Sequence, residues 1–153
     1  MKTLSLIAFL LAATFSFAAK AQSYEVPKDY VLVAKTDYPK YEHDVIKTID
    51  WLQATPWNEQ NEKQREANAF FIKWVSGSPD VNVEIKEAHS KYWDANTSLM
   101  LAYMGGYVKY GIQHKQGFNQ ELAEAAGLKA VAEKYQSEKN HVKDKDVEKL
   151  LKN

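Results

Sequence analysis

The chain has 153 residues, with 20 basic and 20 acidic side chains, four histidines and no cysteine. Zero net charge, with Arg65 as the sole arginine, does not supply the basic surface that nucleic-acid binding or bidentate phosphate recognition needs. Without cysteine there are no disulfide staples, no thiol catalysis and no cysteine-linked lipid, so packing alone must stabilise the fold.

The opening "MKTLSLIAFLLAATFSFAAKAQS" has the layout of a secretory signal peptide. Lys2 is the positive end, Leu4 to Phe17 the apolar run and Ala19-Lys20-Ala21 the small-x-small cleavage site. The run is short for a membrane span and no stop-transfer pattern follows it, so no integral membrane segment is expected after cleavage. The expected product starts at Gln22 and is periplasmic or secreted. Its 132 residues carry 18 basic against 20 acidic groups once Lys2 and Lys20 are gone. That length suits one domain, residues 22–153.

Residues 22–37 read as a short N-terminal arm, and "DYVLVAK" is too short for periodicity to separate extended from helical. Pro39 suits the first turn of a helix capped by Asp37 or Tyr38. Tyr41, Val45, Ile49 and Leu52 give that helix one apolar stripe, and Pro56 ends it. Asn58 is the expected cap of the next helix, with Glu59 and Glu62 near its positive end. Its polar start, "EQNEKQRE", is expected to be solvated. Ala67, Phe70, Phe71 and Trp74 then form its buried face. "SGSP" stops it, with Gly77 placed for a left-handed turn and Pro79 barring continuation. "DVNVEI" alternates at Val81, Val83 and Ile85, as an extended crossing does.

A helical stretch is expected over Glu84 to Trp93, and Asn96 or Thr97 is placed to cap the long helix that follows. Gly117 separates that helix from one starting at Asn119, with Leu122, Ala125, Leu128, Ala132 and Tyr135 as its apolar positions. A last short helix near Asp144 to Lys152 carries Val147, Leu150 and Leu151. The fold class is all-α: a single compact domain of five or six helices, either an irregular bundle or paired helical hairpins, behind a short extended arm.

Four segments carry a resemblance: "DYPKYEHDVIKTIDWLQATPW", "EANAFFIKWVSGSPDVNVEI", "MGGYVKYGIQ", and "AGLKAVAEKYQSEK" with the tail "KDKDVEKLLK". They resemble a family of small exported proteins common in Bacteroidota, to which no activity is assigned. The resemblance implies an exported helical protein and carries no functional residues.

The least ordinary stretch is "LMLAYMGGYVKYGIQH", Leu99 to His114. Leu101, Gly105, Val108 and Ile112 share one helical face; Tyr103, Tyr107, Tyr110 and His114 share another. The Gly-Lys-Ser/Thr order of a phosphate loop is missing, and Lys109 and Gln113 break any membrane span. Glycine inside a helix costs about 0.8–1 kcal/mol against alanine, so Gly105-Gly106 needs a reason. Close approach of another helix is one; a kink that opens a cavity is the rival. Tyr103, Tyr107, Tyr110 and His114 are the candidate ligand-binding residues, because tyrosines offer an apolar ring with a polar tip.

Other chemistry is thin. His43, His89, His114 and His141 are scattered, and Glu138-x-x-His141 is one half of a di-iron pattern that needs two, so no metal or other cofactor is expected. No Gly-x-Ser-x-Gly or Ser-x-x-Lys marks a nucleophile. "EHD" at Glu42 to Asp44 and "EIKEAH" at Glu84 to His89 set carboxylates near imidazoles, though neighbours on a helix point apart. Asn96-Thr97-Ser98 fits the Asn-glycosylation pattern, but a helix cap is the preferred reading. The leading expectation is an exported, non-catalytic interaction or scaffold domain of the cell envelope, with an unknown protein or small-molecule partner. The alternatives are a helical binder of a small apolar or aromatic ligand and a carboxylate-histidine hydrolase.

Overall fold

The central helix is covered on two sides, and the rest of the fold follows from that. In the computed structural model, which describes residues 24–57 and 61–152, the helices are α1 (Glu42–Ala54), α2 (Glu62–Gly77), α3 (Leu99–Gln113), α4 (Gln120–Ser137) and a short α5 (Lys145–Leu150). Short 3-10 helices at Tyr38–Tyr41, Glu87–Tyr92 and Lys115–Gly117 join them, and no strand occurs among the described residues. The expected signal peptide and its cleavage site lie outside the described residues.

The two faces read from the α3 sequence serve two cores. Val108 is buried with Val45, Ile49, Phe70, Phe71 and Trp74 of α1 and α2, and Leu101 and Ile112 pack against them. Tyr103 and Tyr107 are buried with Leu99, Ala123, Val131, Tyr135 and Val147 on the α4 and α5 side. Each such fully buried apolar side chain contributes roughly 1.5–3 kcal/mol. An amphipathic helix needs one cover; α3, the most apolar of the described helices, needs two.

The glycines set how closely the covers approach. A Cβ on Gly106 would overlap the Ala126 carbonyl oxygen and stand 2.8 Å from the Ala130 Cβ. One on Gly127 would stand 2.7 Å from the Tyr103 ring. On the other face, a Cβ on Gly105 would meet Ile49 Cγ2 at 3.1 Å. Helix α3 runs unbroken through the pair, so close packing, not a kink, is what Gly105-Gly106 provide.

The arm is tied down although it has no regular structure. Tyr24, Val26 and Leu32 are buried, Tyr24 shares a 2.9 Å hydrogen bond with Thr48, and its ring stacks 4.9 Å from Trp51. The Lys63 ammonium lies 5.5 Å from the Tyr24 ring centre and 5.4 Å from that of Trp51. Asp37 accepts from the Val33 and Ala34 amides and from Lys40, and these donors, Lys40 first, hold its carboxyl at about 2. The turn made there sends the chain into α1 through Pro39.

Several expectations change at the level of single residues. Helix α2 starts at Glu62 with Asn61, not Asn58, as the cap accepting from the Gln64 amide. Gly77 takes no left-handed turn, since no glycine among the described residues has positive φ. Its need is space, because a Cβ there would overlap the Tyr38 hydroxyl. Asn96 does not cap α3; its side-chain amide donates to the Val142 carbonyl and accepts from the Val142 amide, each at 2.8 Å. That clasp holds the C-terminal segment and buries the asparagine, leaving Ser98 at the helix start without a side-chain cap bond.

On α4 the buried residues are Ala123, Gly127, Val131, Ala132, Lys134 and Tyr135, so Ala132 and Tyr135 lie where expected, while Leu122 and Ala125 are exposed. Small residues won the interface because a leucine stripe would hold α4 away from Gly106. The alternation at Val81 and Val83 does not reach Ile85, which is 46% exposed.

Candidate functional site

The row Tyr103, Tyr107, Tyr110, His114 divides along its length. Tyr103 is fully buried, its hydroxyl donating to the Glu84 carbonyl at 3.0 Å, and Tyr107 is 2% exposed. Burial, with Glu124, Tyr107 and Glu84 adding to it, pushes the Tyr103 phenol up to about 12. Burial likewise raises Tyr107. Neither ring serves as a base or a nucleophile near neutral pH. Tyr110 is half-buried and stacks 4.1 Å from the exposed His114 ring, with Phe118 6.1 Å from Tyr110 at the surface. The structure therefore brings Tyr103 and Tyr107 into the core and leaves Tyr110 and His114 on the outside.

Open space lies in two hollows, and of this row only Tyr110 lines one of them. A cleft of about 210 Å³ is walled by α1, α2 and α3. Ile49, Leu52, Phe71, Leu101, Ala102 and Gly105 line its apolar part. Gln64, Arg65 and Asn68 of α2, Ser98 before α3, and Gln53 and Lys134 line its polar part. Arg65 and Ser98 are exposed and form the rim, whereas Gln64 and Phe71 are buried beneath it. A second hollow of about 250 Å³ between α1, α3 and α4 is lined by Asp50, Gln53, Lys109, Tyr110 and Glu133, with Gly106 and Ala130 at its base.

Two polar features of the first cleft escape a reading of the sequence. Gln64 is 8% exposed, although it sits in the stretch expected to be solvated. Its Nε2 donates to the Pro56 carbonyl at 3.3 Å, and this bond fixes which amide atom is oxygen. The Oε1 has no hydrogen-bond partner among the described residues. The signal was present: Gln64, Ala67, Phe71 and Trp74 run i, i+3, i+7, i+10, so the buried face of α2 extends back one turn.

The second feature is Lys134. It pairs with Glu138 at 2.6 Å, both side chains almost fully buried, and donates to the Gln53 and Thr55 carbonyls. Glu138 also accepts from the Trp57 amide at 3.0 Å. A cation at the C-terminal end of α1 complements the helix dipole, so Lys134 is spent on structure.

The histidines do not converge. His141 lies 3.8 Å from the Tyr135 ring and its Nδ1 is 2.6 Å from the Glu138 carbonyl, while the Glu138 carboxylate faces Lys134. His89 is buried beside Tyr103, and neither of the two clefts is lined by a histidine. In the "EHD" stretch Glu42 pairs with Lys115 and His43 is exposed. In "EIKEAH" Lys86 pairs with Glu124 at 2.6 Å, which holds that carboxyl below the usual range. No group of three or more candidate ligands for a metal occurs among the described residues, and no described helix is long and apolar enough to cross a membrane. Comparison with protein-family models, curated proteins and solved structures finds no match to this chain.

Proposed function

We propose that this chain is an exported, non-enzymatic binding domain of the cell envelope, and that the cleft between α1, α2 and α3 is its binding seat. The observation that carries the reading is the lining of that cleft. An apolar floor of Ile49, Leu52, Phe71 and Leu101 meets polar groups of α2, among them the buried Gln64, whose amide oxygen has no partner among the described residues. Ligand sites have this make-up, with apolar walls and a few placed polar groups. At about 210 Å³ it exceeds the ~150 Å³ cavity that admits benzene and falls below the roughly 300–1,000 Å³ of drug-sized sites. It suits a small ligand or one side chain of a partner. The signal-peptide layout of residues 1–21 supports the location.

The alternative seat is the surface pair Tyr110 and His114, favoured by their stacking beside the second hollow and the exposed Phe118. Amide chemical-shift mapping with benzyl alcohol as the probe separates the two. Shifts gathered at Leu52, Phe71 and Leu101 support the first seat; shifts gathered at Tyr110 and His114 support the second. Saturable shifts at neither would overturn the binding reading.

A further inference from the structure

We infer that the α1–α2–α3 cleft takes an apolar α-amino-acid unit that ends in a free carboxylate. The inference rests on the cleft being the binding seat and assigns the chemistry of its occupant. The apolar floor sets the first requirement, a hydrocarbon or aromatic side chain of about one residue's size.

The second requirement comes from Gln64. One of its two amide hydrogens is given to Pro56, whereas its Oε1 accepts from no described residue, so the acceptor is the atom that gains most from a ligand N–H or O–H donor. An acceptor buried without a partner costs about as much as a lost hydrogen bond, so a donor entering the cleft gains that term back.

The third requirement comes from charge. The two cations on the cleft differ: Lys134 is neutralised by Glu138, whereas Arg65 has no carboxylate within ion-pair distance among the described residues. No acidic side chain among the described residues lines the cleft. A guanidinium on the rim of the cleft matches the forked geometry of a carboxylate. Asn68, one helical turn beyond Gln64, lines the same side.

A donor, an apolar side chain and a carboxylate around one carbon are the three substituents of an apolar α-amino acid. The same chemistry occurs in a free amino acid and at the C-terminus of a peptide, and both keep a donor on the α-nitrogen.

Titration calorimetry on the purified chain tests this with three probes: L-phenylalanine, N-acetyl-L-phenylalanine and N-acetyl-L-phenylalaninamide. At least one of the two carboxylates should bind roughly tenfold or more tightly than the amide, as loss of one charge-assisted pair requires. Tighter binding of the acetylated acid identifies a peptide end, and tighter binding of the free amino acid identifies that source. Arg65 is exposed, so R65Q should fold normally and bind the better acid as weakly as wild type binds the amide. R65K should fall between. Amide binding equal to acid binding, or an R65Q chain that still prefers the acid, would overturn the inference while leaving the cleft as the seat. Absence of binding by all three probes overturns it as well; whether the seat itself stands is then read from benzyl alcohol.

Discussion

Replacing Gly106 by alanine adds one methyl group where α3 and α4 touch. Helix propensity alone favours the change by about 0.8–1 kcal/mol. The contact opposes it. The new Cβ would overlap the Ala126 carbonyl oxygen and lie 2.8 Å from Ala130 Cβ. Neither neighbour is a flexible side-chain tip, and moving the carbonyl means moving α4. Overpacking of this kind costs typically 1–3 kcal/mol, and a backbone obstacle places it toward the upper end. The net expectation is a loss of about 1–2 kcal/mol, with Gly106→Leu losing more. Gly117→Ala is the control, because nothing lies within 4 Å of a Cβ there and its φ is not positive. It should be neutral or gain up to about 1 kcal/mol through the unfolded state. Urea unfolding followed by helical circular dichroism reads both signs. A Gly106→Ala chain as stable as wild type would refute the close α3–α4 contact.

Trp74 has no exposed surface and donates through Nε1 to the Tyr38 carbonyl at 2.9 Å, so Trp74→Ala should cost about 3–5 kcal/mol in the same melts. Glu66→Ala, on the exposed side of α2, should stay within about 0.5 kcal/mol. Lys134→Met leaves the buried Glu138 carboxylate without its cation and should cost about 3–5 kcal/mol; adding Glu138→Gln removes that charge, so the double variant should unfold at higher urea than the single one. Tyr103 has a folded pKa of about 12 against an ordinary 10.0. A raised folded pKa means its stabilisation is whole below pH 10 and is lost as pH rises from about 10 to about 12. Tyr103→Phe should flatten that part of the alkaline stability profile, and an unchanged slope would contradict the burial of the hydroxyl.

Helix existence was legible because apolar spacing is local. The stripes of α1 and α2 and the two faces of α3 could be read directly, and Asn119, Asp144 and Pro39 sit at or next to the helix starts expected for them. What could not be read depends on partners distant in the chain. Leu122 looks like a core residue until Gly106 draws α4 in on its Ala-Gly face. Gln64 looks solvated until Pro56 and the cleft close around it. Asn96 looks like a cap until Val142, 46 residues on, claims both ends of its amide. The aromatic row of α3 divides: its period is genuine, but α4 covers the first half, which makes Tyr103 and Tyr107 core and leaves Tyr110 and His114 outside. Two polar groups of the cleft, Gln64 and Arg65, come from a stretch whose composition alone reads as solvent-facing.

The claim that matters most is that the α1–α2–α3 cleft receives an apolar group. Intermolecular nuclear Overhauser effects between the ring of benzyl alcohol and the protein methyl groups measure it most directly. Cross-peaks are expected to Ile49, Leu52, Leu101 and Ala102, the methyl-bearing residues of the cleft lining. Cross-peaks confined to the surface around Tyr110, His114 and Phe118, or no cross-peaks at saturating probe, would contradict it.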